Sequence, residues 1–220
     1  MKLKSVVLLS GGLDSVVNLK MASQKTEVAV ALTFDYGQEA ARNEIQAARE
    51  CASAIGIPHK VIVLDWYESL LPDNSCSRQR LEGEDVYPAG IWIPNRNAVF
   101  VSIGAAFAEK LGAEIVVMGL NREEARWFPD NSAEFIEAVN RMLSYSTSNS
   151  VKLVSYTVSL SKREMVELGI KVNAPLDLIY SCYRGSSDQR MCGECRSCLL
   201  LKEALKENHL LDRFKARFLK

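Results

Sequence analysis

Apolar residues fall along the chain in two rhythms. Short segments rich in Val, Ile and Leu, with an unbroken apolar centre of two to five residues, occupy residues 3–9, 27–34, 60–64, 114–119 and 152–156. Runs of that length without alternation predict buried parallel strands, the fifth of them short. Residues 13–24, 39–55, 135–143 and 161–168 carry helical patterns instead, and Gly56 and Pro58 stop the second. Pro94 predicts the start of another helix, with Val99, Ile103, Ala106, Phe107 and Leu111 on one face. Residues 65–93, with Pro72, Pro88 and several Gly and Asn, read as a long functional loop with some local structure. Alternating strands and helices predict an α/β fold, a parallel sheet with helices on both faces. Ligands of such sheets bind beyond the carboxyl ends of the strands. That singles out residues 10–15, residues 35–38 and the stretch from Gly119 onward.

Composition removes some options. The 27 basic and 27 acidic residues cancel, which argues against a general polyanion binder. With 48% hydrophobic and 25% charged residues, the 220-residue chain is ordinarily globular. Only two histidines, His59 and His209, are present, so chemistry built on several histidines is excluded. The run from Val6 to Leu9 is too short for a signal core or a membrane span, and a cytoplasmic protein is expected.

Residues 10–15 read Ser-Gly-Gly-Leu-Asp-Ser, between a strand and a helix. Glycines let the backbone approach a ligand, and amides at a helix N-terminus favour an anion. Ser10 and Ser15 could donate hydroxyl hydrogen bonds to phosphate, and Asp14 could orient the loop or help hold Mg²⁺. No lysine follows as it does in a Walker loop. Cys182, Cys192, Cys195 and Cys198 form a C-x9-C-x2-C-x2-C pattern. Four thiolates close a tetrahedral shell, which suits one structural Zn²⁺, with an iron–sulfur cluster as the rival. Cys51, in a helical pattern, and Cys76, in a polar stretch, carry no expected function.

Ser-Gly-Gly-x-Asp-Ser after the first strand resembles the PP-loop ATP pyrophosphatases, which adenylate a substrate oxygen and release pyrophosphate. The loop does not choose among the members of that superfamily. Further elements do: Phe34-Asp35-Tyr36-Gly37-Gln38, Ile93-Pro94-Asn95-Arg96-Asn97, Ser161-Lys162-Arg163-Glu164, Ser181-Cys182-Tyr183 and the closing cysteines. Together, in order over residues 5–201, they resemble the 7-cyano-7-deazaguanine synthase family.

The resemblance implies an adenine nucleotide alpha-hydrolase-like, Rossmann-type sandwich with a C-terminal zinc-binding appendage. The ATP-binding unit would be residues 1–174, and residues 175–220 would carry the cysteines and a C-terminal helix. It implies an ATP-dependent carbon–nitrogen ligase using Mg²⁺, with 7-carboxy-7-deazaguanine and ammonia as substrates, and a homodimer without nucleic acid. Ser10, Asp14, Ser15, Arg96 and Lys162 would be catalytic. Leu8, Leu9, Gly11, Gly12, Leu13, Phe34, Tyr36, Gln38 and Gly119 would join Ser10, Asp14, Ser15 and Arg96 around ATP. Trp127, Phe128, Asp130 and Phe135 would face the deazaguanine. Plainer roles exist for some of these residues. Ser161 and Glu164 also make a capping box, and Tyr36, Trp127 and Phe128 suit a core as well as a base.

Two segments depart from the family pattern. Glu39 and Ala40 stand where Arg and His are usual, and residues 121–127 match poorly although Pro129 and Asp130 are kept. A relative joining the activated acid, or another acid, to a different amine is therefore an alternative. So are a tRNA-modifying PP-loop enzyme and a zinc protein that senses nucleotide without turning it over.

Overall fold

The computed structural model describes residues 2–71 and 92–219. Among the described residues, five parallel strands form one sheet: β1 (Lys4–Leu8), β2 (Glu27–Asp35), β3 (His59–Val63), β4 (Ile115–Val117) and β5 (Lys152–Val154). Their order is β3-β2-β1-β4-β5. The chain winds from β1 outward to β3, then crosses back and continues on the other side through β4 and β5. The direction therefore reverses between β1 and β4, and a crevice opens there at the strand carboxyl ends. In register, Val7 of β1 lies opposite Leu32's neighbour Ala31 on one side and Val117 on the other.

A central strand must bury both faces, and β1 shows how. Val7 and Leu9 enter one core, while Val6 and Leu8 enter the other. Successive side chains point to opposite sides of the sheet, which is why the segment is continuously apolar. The first core gathers α1 (Leu13–Lys25), α2 (Ala41–Ile55), α6 (Lys162–Lys171) and the cysteine-bearing segment with α7 (Arg196–Glu207). The second gathers α3 (Arg96–Lys110) and α5 (Ala133–Ser146). On α3, a Cβ at Gly104 would stand 2.8 Å from Leu8 Cδ2 and 3.2 Å from Val116 Cγ1. The missing side chain is what lets α3 lie so close to the sheet.

The structure adjusts several sequence expectations. The helix expected from Pro94 begins at Arg96, because the Pro94 carbonyl accepts a hydrogen bond from the Tyr67 hydroxyl at 2.5 Å. Asn95, at φ 56°, then turns the chain in the left-handed region that asparagine tolerates. Residues 65–70, expected as loop, form a 3₁₀ turn. A one-turn helix, α4 (Arg122–Ala125), follows β4, and a last short one, α8 (Leu211–Phe214), follows α7. Cys76 and most of the expected 65–93 loop lie outside the described residues. No helix among the described residues is long and apolar enough to cross a membrane.

Candidate active site

A cleft of about 240 Å³ opens at the β1–β4 crevice. Its floor is the loop between β1 and α1. Gly11 sits at φ +82°, and a Cβ there would lie 2.8 Å from the Glu44 carbonyl oxygen and 2.9 Å from the Ala48 amide nitrogen. Only glycine fits both the conformation and the space. A Cβ at Gly119, just past β4, would lie 2.6 Å from Asp14 C and Ser15 N. The end of β4 thus butts against the loop. Inside the loop, the Ser15 hydroxyl donates to the Gly12 carbonyl at 3.0 Å and lies 3.1 Å from the Ser10 hydroxyl.

Asp14, Glu124 and Lys162 meet at one wall. Lys162 Nζ is 2.8 Å from both Asp14 carboxylate oxygens and 2.8 Å from Glu124 Oε1. Asn121 Nδ2 donates to Asp14 Oδ2 at 2.6 Å, while its Oδ1 accepts from the Glu124 amide at 2.9 Å. Ser161 caps α6 in a full capping box with Glu164, which fixes the first turn that carries Lys162. Burial pushes the Asp14 carboxyl up, and adjacent Glu124 adds to that push against the pull of Lys162. Burial opposes ionisation of Glu124 too, but Lys162 and Asn121 outweigh it and hold this carboxyl below its usual range. Lys162, despite burial, is held firmly protonated by the two carboxylates.

Arg96, at the start of α3, forms the opposite wall. Its guanidinium donates to the Tyr36 hydroxyl at 3.3 Å. Burial disfavours its charge, but Tyr36, Asp130 and Glu44 more than restore it. Gln38 Nε2 bridges the Phe34 carbonyl at 3.1 Å and Glu44 Oε2 at 2.8 Å, and its Oε1 accepts from the Tyr36 amide. Burial pushes Glu44 up, against the Gln38 hydrogen bond and Arg96.

The third side of the cleft comes from the far end of the chain. Tyr180 N donates to the Gly11 carbonyl at 2.9 Å, and Leu13 N donates to the Ser181 hydroxyl at 3.1 Å. Directly behind, the sulfurs of Cys182, Cys192, Cys195 and Cys198 are buried and all within 4.8 Å of one another. Two of their separations are 3.8 and 3.9 Å. Sulfurs about 2.3 Å from a central ion stand roughly 3.8 Å apart in a tetrahedron. Backbone amides of Arg184 and Cys192 point at Cys182 Sγ, and those of Glu194 and Cys195 at Cys192 Sγ, at 3.3–3.4 Å. Amide donors of this kind stabilise thiolates, so the group can hold a metal ion.

The cleft is lined by Leu8, Leu9, Ser10, Gly12, Leu13, Asp14, Ser15, Phe34, Tyr36, Arg96, Gly119, Lys162 and Cys182 among the residues singled out from sequence. Gly11 and Gln38 brace it from behind. The four expected deazaguanine contacts stand outside its lining. Phe128 stacks on Trp92, Trp127 lies under the Arg196 guanidinium, and Phe135 packs on the second core. Asp130 sits behind Arg96, its carbonyl accepting from Asn97 at 3.3 Å. Sequence reasoning missed Glu44, Asn121 and Glu124, and it quoted Ser181 and Tyr183 only as part of an element, with no role in the cleft. Asn121 and Glu124 had a signal, an N-cap spacing directly after a strand-ending glycine. Glu44 had none.

The family model of queuosine biosynthesis protein QueC matches residues 4–209. A 7-cyano-7-deazaguanine synthase of Carboxydothermus hydrogenoformans is 44% identical over 211 residues, covering 91% of this chain and 97% of that protein. Another, from Methanosarcina barkeri, is 38% identical over 225 residues, covering 96% of each. Among solved structures, a 4-thiouridine synthetase in complex with RNA and bound ATP matches at TM-score 0.52 and 19% identity, over 96% of this chain and 52% of that one. The U34-tRNA thiolase NcsA of Methanococcus maripaludis, solved with its 4Fe-4S cluster, matches at TM-score 0.51 and 15% identity, over 98% and 72%. At such identities the likeness shows the fold alone. By its sequence, the chain belongs to the QueC family, that of the 7-cyano-7-deazaguanine synthases.

Proposed function

We propose that this chain is an ATP-dependent carbon–nitrogen ligase that makes 7-cyano-7-deazaguanine from 7-carboxy-7-deazaguanine, ammonia and two ATP. The observation that carries the reading is the convergence of the residue 10–15 loop, Arg96 and Lys162 on one cleft. In the first half, the substrate carboxylate attacks the α-phosphorus of ATP, and pyrophosphate leaves. Ammonia then attacks the acyl carbon, a proton is lost, and AMP departs to leave the amide. In the second half, the amide oxygen attacks a second ATP, again expelling pyrophosphate. Loss of two amide protons and of AMP gives the nitrile.

The loop amides and the positive end of α1 would receive the phosphates. Arg96 offers a fork to an oxyanion, and Lys162 a fixed charge near the leaving pyrophosphate. Leu8, Phe34, Phe100 and Met118 line the cleft with apolar surface. That surface suits a purine face and keeps water from the acyl adenylate. Both oxygens of Asp14 are engaged by Lys162 and Asn121, which favours loop orientation over metal ligation. Mg²⁺ would arrive on the ATP phosphates and neutralise their charge. One Zn²⁺ would sit among Cys182, Cys192, Cys195 and Cys198 as a structural ion, since four sulfurs around one centre leave no open position. A four-iron cluster fits less well, because each of its cysteines binds a different iron.

Residues 1–174 would then be the ATP-binding unit, with residues 175–220 closing it. A cytoplasmic homodimer belongs to the same reading and is carried by the family resemblance. Incubation with Mg-ATP, ammonium and 7-carboxy-7-deazaguanine, followed by mass spectrometry, tests the whole scheme. Nitrile with two AMP per turnover is expected. AMP with amide only, or product only when another amine is supplied, would replace it with a different ligase.

A further inference from the structure

The loop has three hydroxyls around it, and their protons are not equally free. The Ser15 hydroxyl donates to the Gly12 carbonyl. It can then only accept from its neighbours, which are the Ser10 amide at 3.2 Å and the Ser10 hydroxyl at 3.1 Å. Each loop serine hydroxyl thus has an acceptor within reach inside the loop. Ser181 differs. Its oxygen accepts from Leu13 N, the first amide of α1, and its own proton finds no acceptor among the described residues. Ser181 lines the cleft, and its oxygen lies 3.4 Å from where a Cβ on Gly12 would stand.

We infer that Ser181 is the hydroxyl donor to the bound phosphates, presented to the loop by the cysteine cluster. It accepts an amide at the positive end of α1, which polarises its O–H toward an anion. Its backbone is fixed on the metal side: Cys182 follows it, and its own amide points at Met191 Sδ at 3.3 Å. Tyr180, just before it, is tied to Gly11. The metal therefore does more than fold the tail. It sets where Ser181 stands, and binding of metal and nucleotide are coupled. Coupling is reciprocal, so nucleotide must slow the loss of metal by the route through which metal favours nucleotide.

This inference rests on the proposed nucleotide cleft, and the test separates the two. Purified wild type and Ser181→Ala are assayed for metal content, for the Kd of Mg²⁺ α,β-methylene-ATP by calorimetry, and for metal transfer to a chromophoric chelator with and without that analogue. Full metal content in both proteins is expected. In the variant, Kd and the KM for ATP should rise about tenfold, the loss of one charge-assisted hydrogen bond, with a smaller change in kcat. The analogue should slow metal transfer from wild type and not from the variant. No analogue binding to wild type would sink the nucleotide cleft itself. Binding that is equal in the two proteins, with equal protection of the metal, would overturn the role of Ser181. Loss of metal from the variant would also overturn it, by making Ser181 a merely structural member of the cluster.

Discussion

Lys162 stands between two partly buried carboxylates, and removing it leaves both without their bonded cation. Lys162→Met should cost about 1–3 kcal/mol at neutral pH, less than breaking a fully buried pair from one side because solvent reaches Glu124. The pH dependence gives the sign. In the native protein Glu124 titrates below its ordinary value, so its ionised form stabilises the fold above the ordinary carboxyl range. That stability is lost as pH falls through the lowered pKa. In the variant, burial without Lys162 would raise both carboxyls above their unfolded values. The folded state then binds more protons, and stability grows as pH falls. Urea denaturation at pH 7 and pH 5 checks this: the gap between variant and native protein should narrow at pH 5, and a gap that widens would refute the ion cluster. Gly119→Ala addresses the other contact of the loop. A Cβ 2.6 Å from backbone atoms must displace the β4 end or the loop. ATP-dependent AMP release should fall at least tenfold, with a loss of stability measurable in the same denaturation assay.

Elements rather than single residues decide how Lys162 is aimed. The Ser161–Glu164 box satisfies amides at the start of α6, and Ser161→Ala should destabilise by about 1 kcal/mol. If the cap merely holds the helix, turnover at saturating ATP should change far less than in a Lys162 variant. Thermal melts and steady-state kinetics on the same samples would tell. The box was legible in sequence because its two members lie one turn apart. So were the strands, of which central β1 is apolar because it is buried on both faces while edge strand β3 keeps its apolar residues half-buried or exposed, and the residue 10–15 loop, whose chemistry is contiguous. What stayed hidden depends on contacts across the chain. The α3 start was misplaced because Tyr67, 27 positions earlier, takes the Pro94 carbonyl. Glu44 gave no local sign, since it reaches the cleft only when α2 packs against Gly11. Trp127 and Phe128 suited a core as well as a base in the sequence, and in the fold their rings meet Arg196 and Trp92.

For the molecule as a whole, the two ends of the chain are joined at the cleft. The β1–α1 loop touches Tyr180 and Ser181, and the cysteines share a core with α1 and α2. Elemental analysis should find about one equivalent of zinc, and Cys195→Ser should lose it. Metal removal should lower the melting temperature and weaken nucleotide binding together, since the same segment serves both. A demetallated protein with unchanged melting would contradict that coupling. Ahead of these stands the claim that the cleft adenylates an oxygen of the substrate. The direct measurement is turnover of 7-carboxy-7-deazaguanine carrying ¹⁸O in both carboxylate positions, with AMP analysed by mass spectrometry. Each activation passes one substrate oxygen to AMP, so every AMP formed should carry one ¹⁸O and the nitrile none. AMP without label, or label transferred to inorganic phosphate with ADP as the nucleotide product, would show that the oxygen is activated by another route.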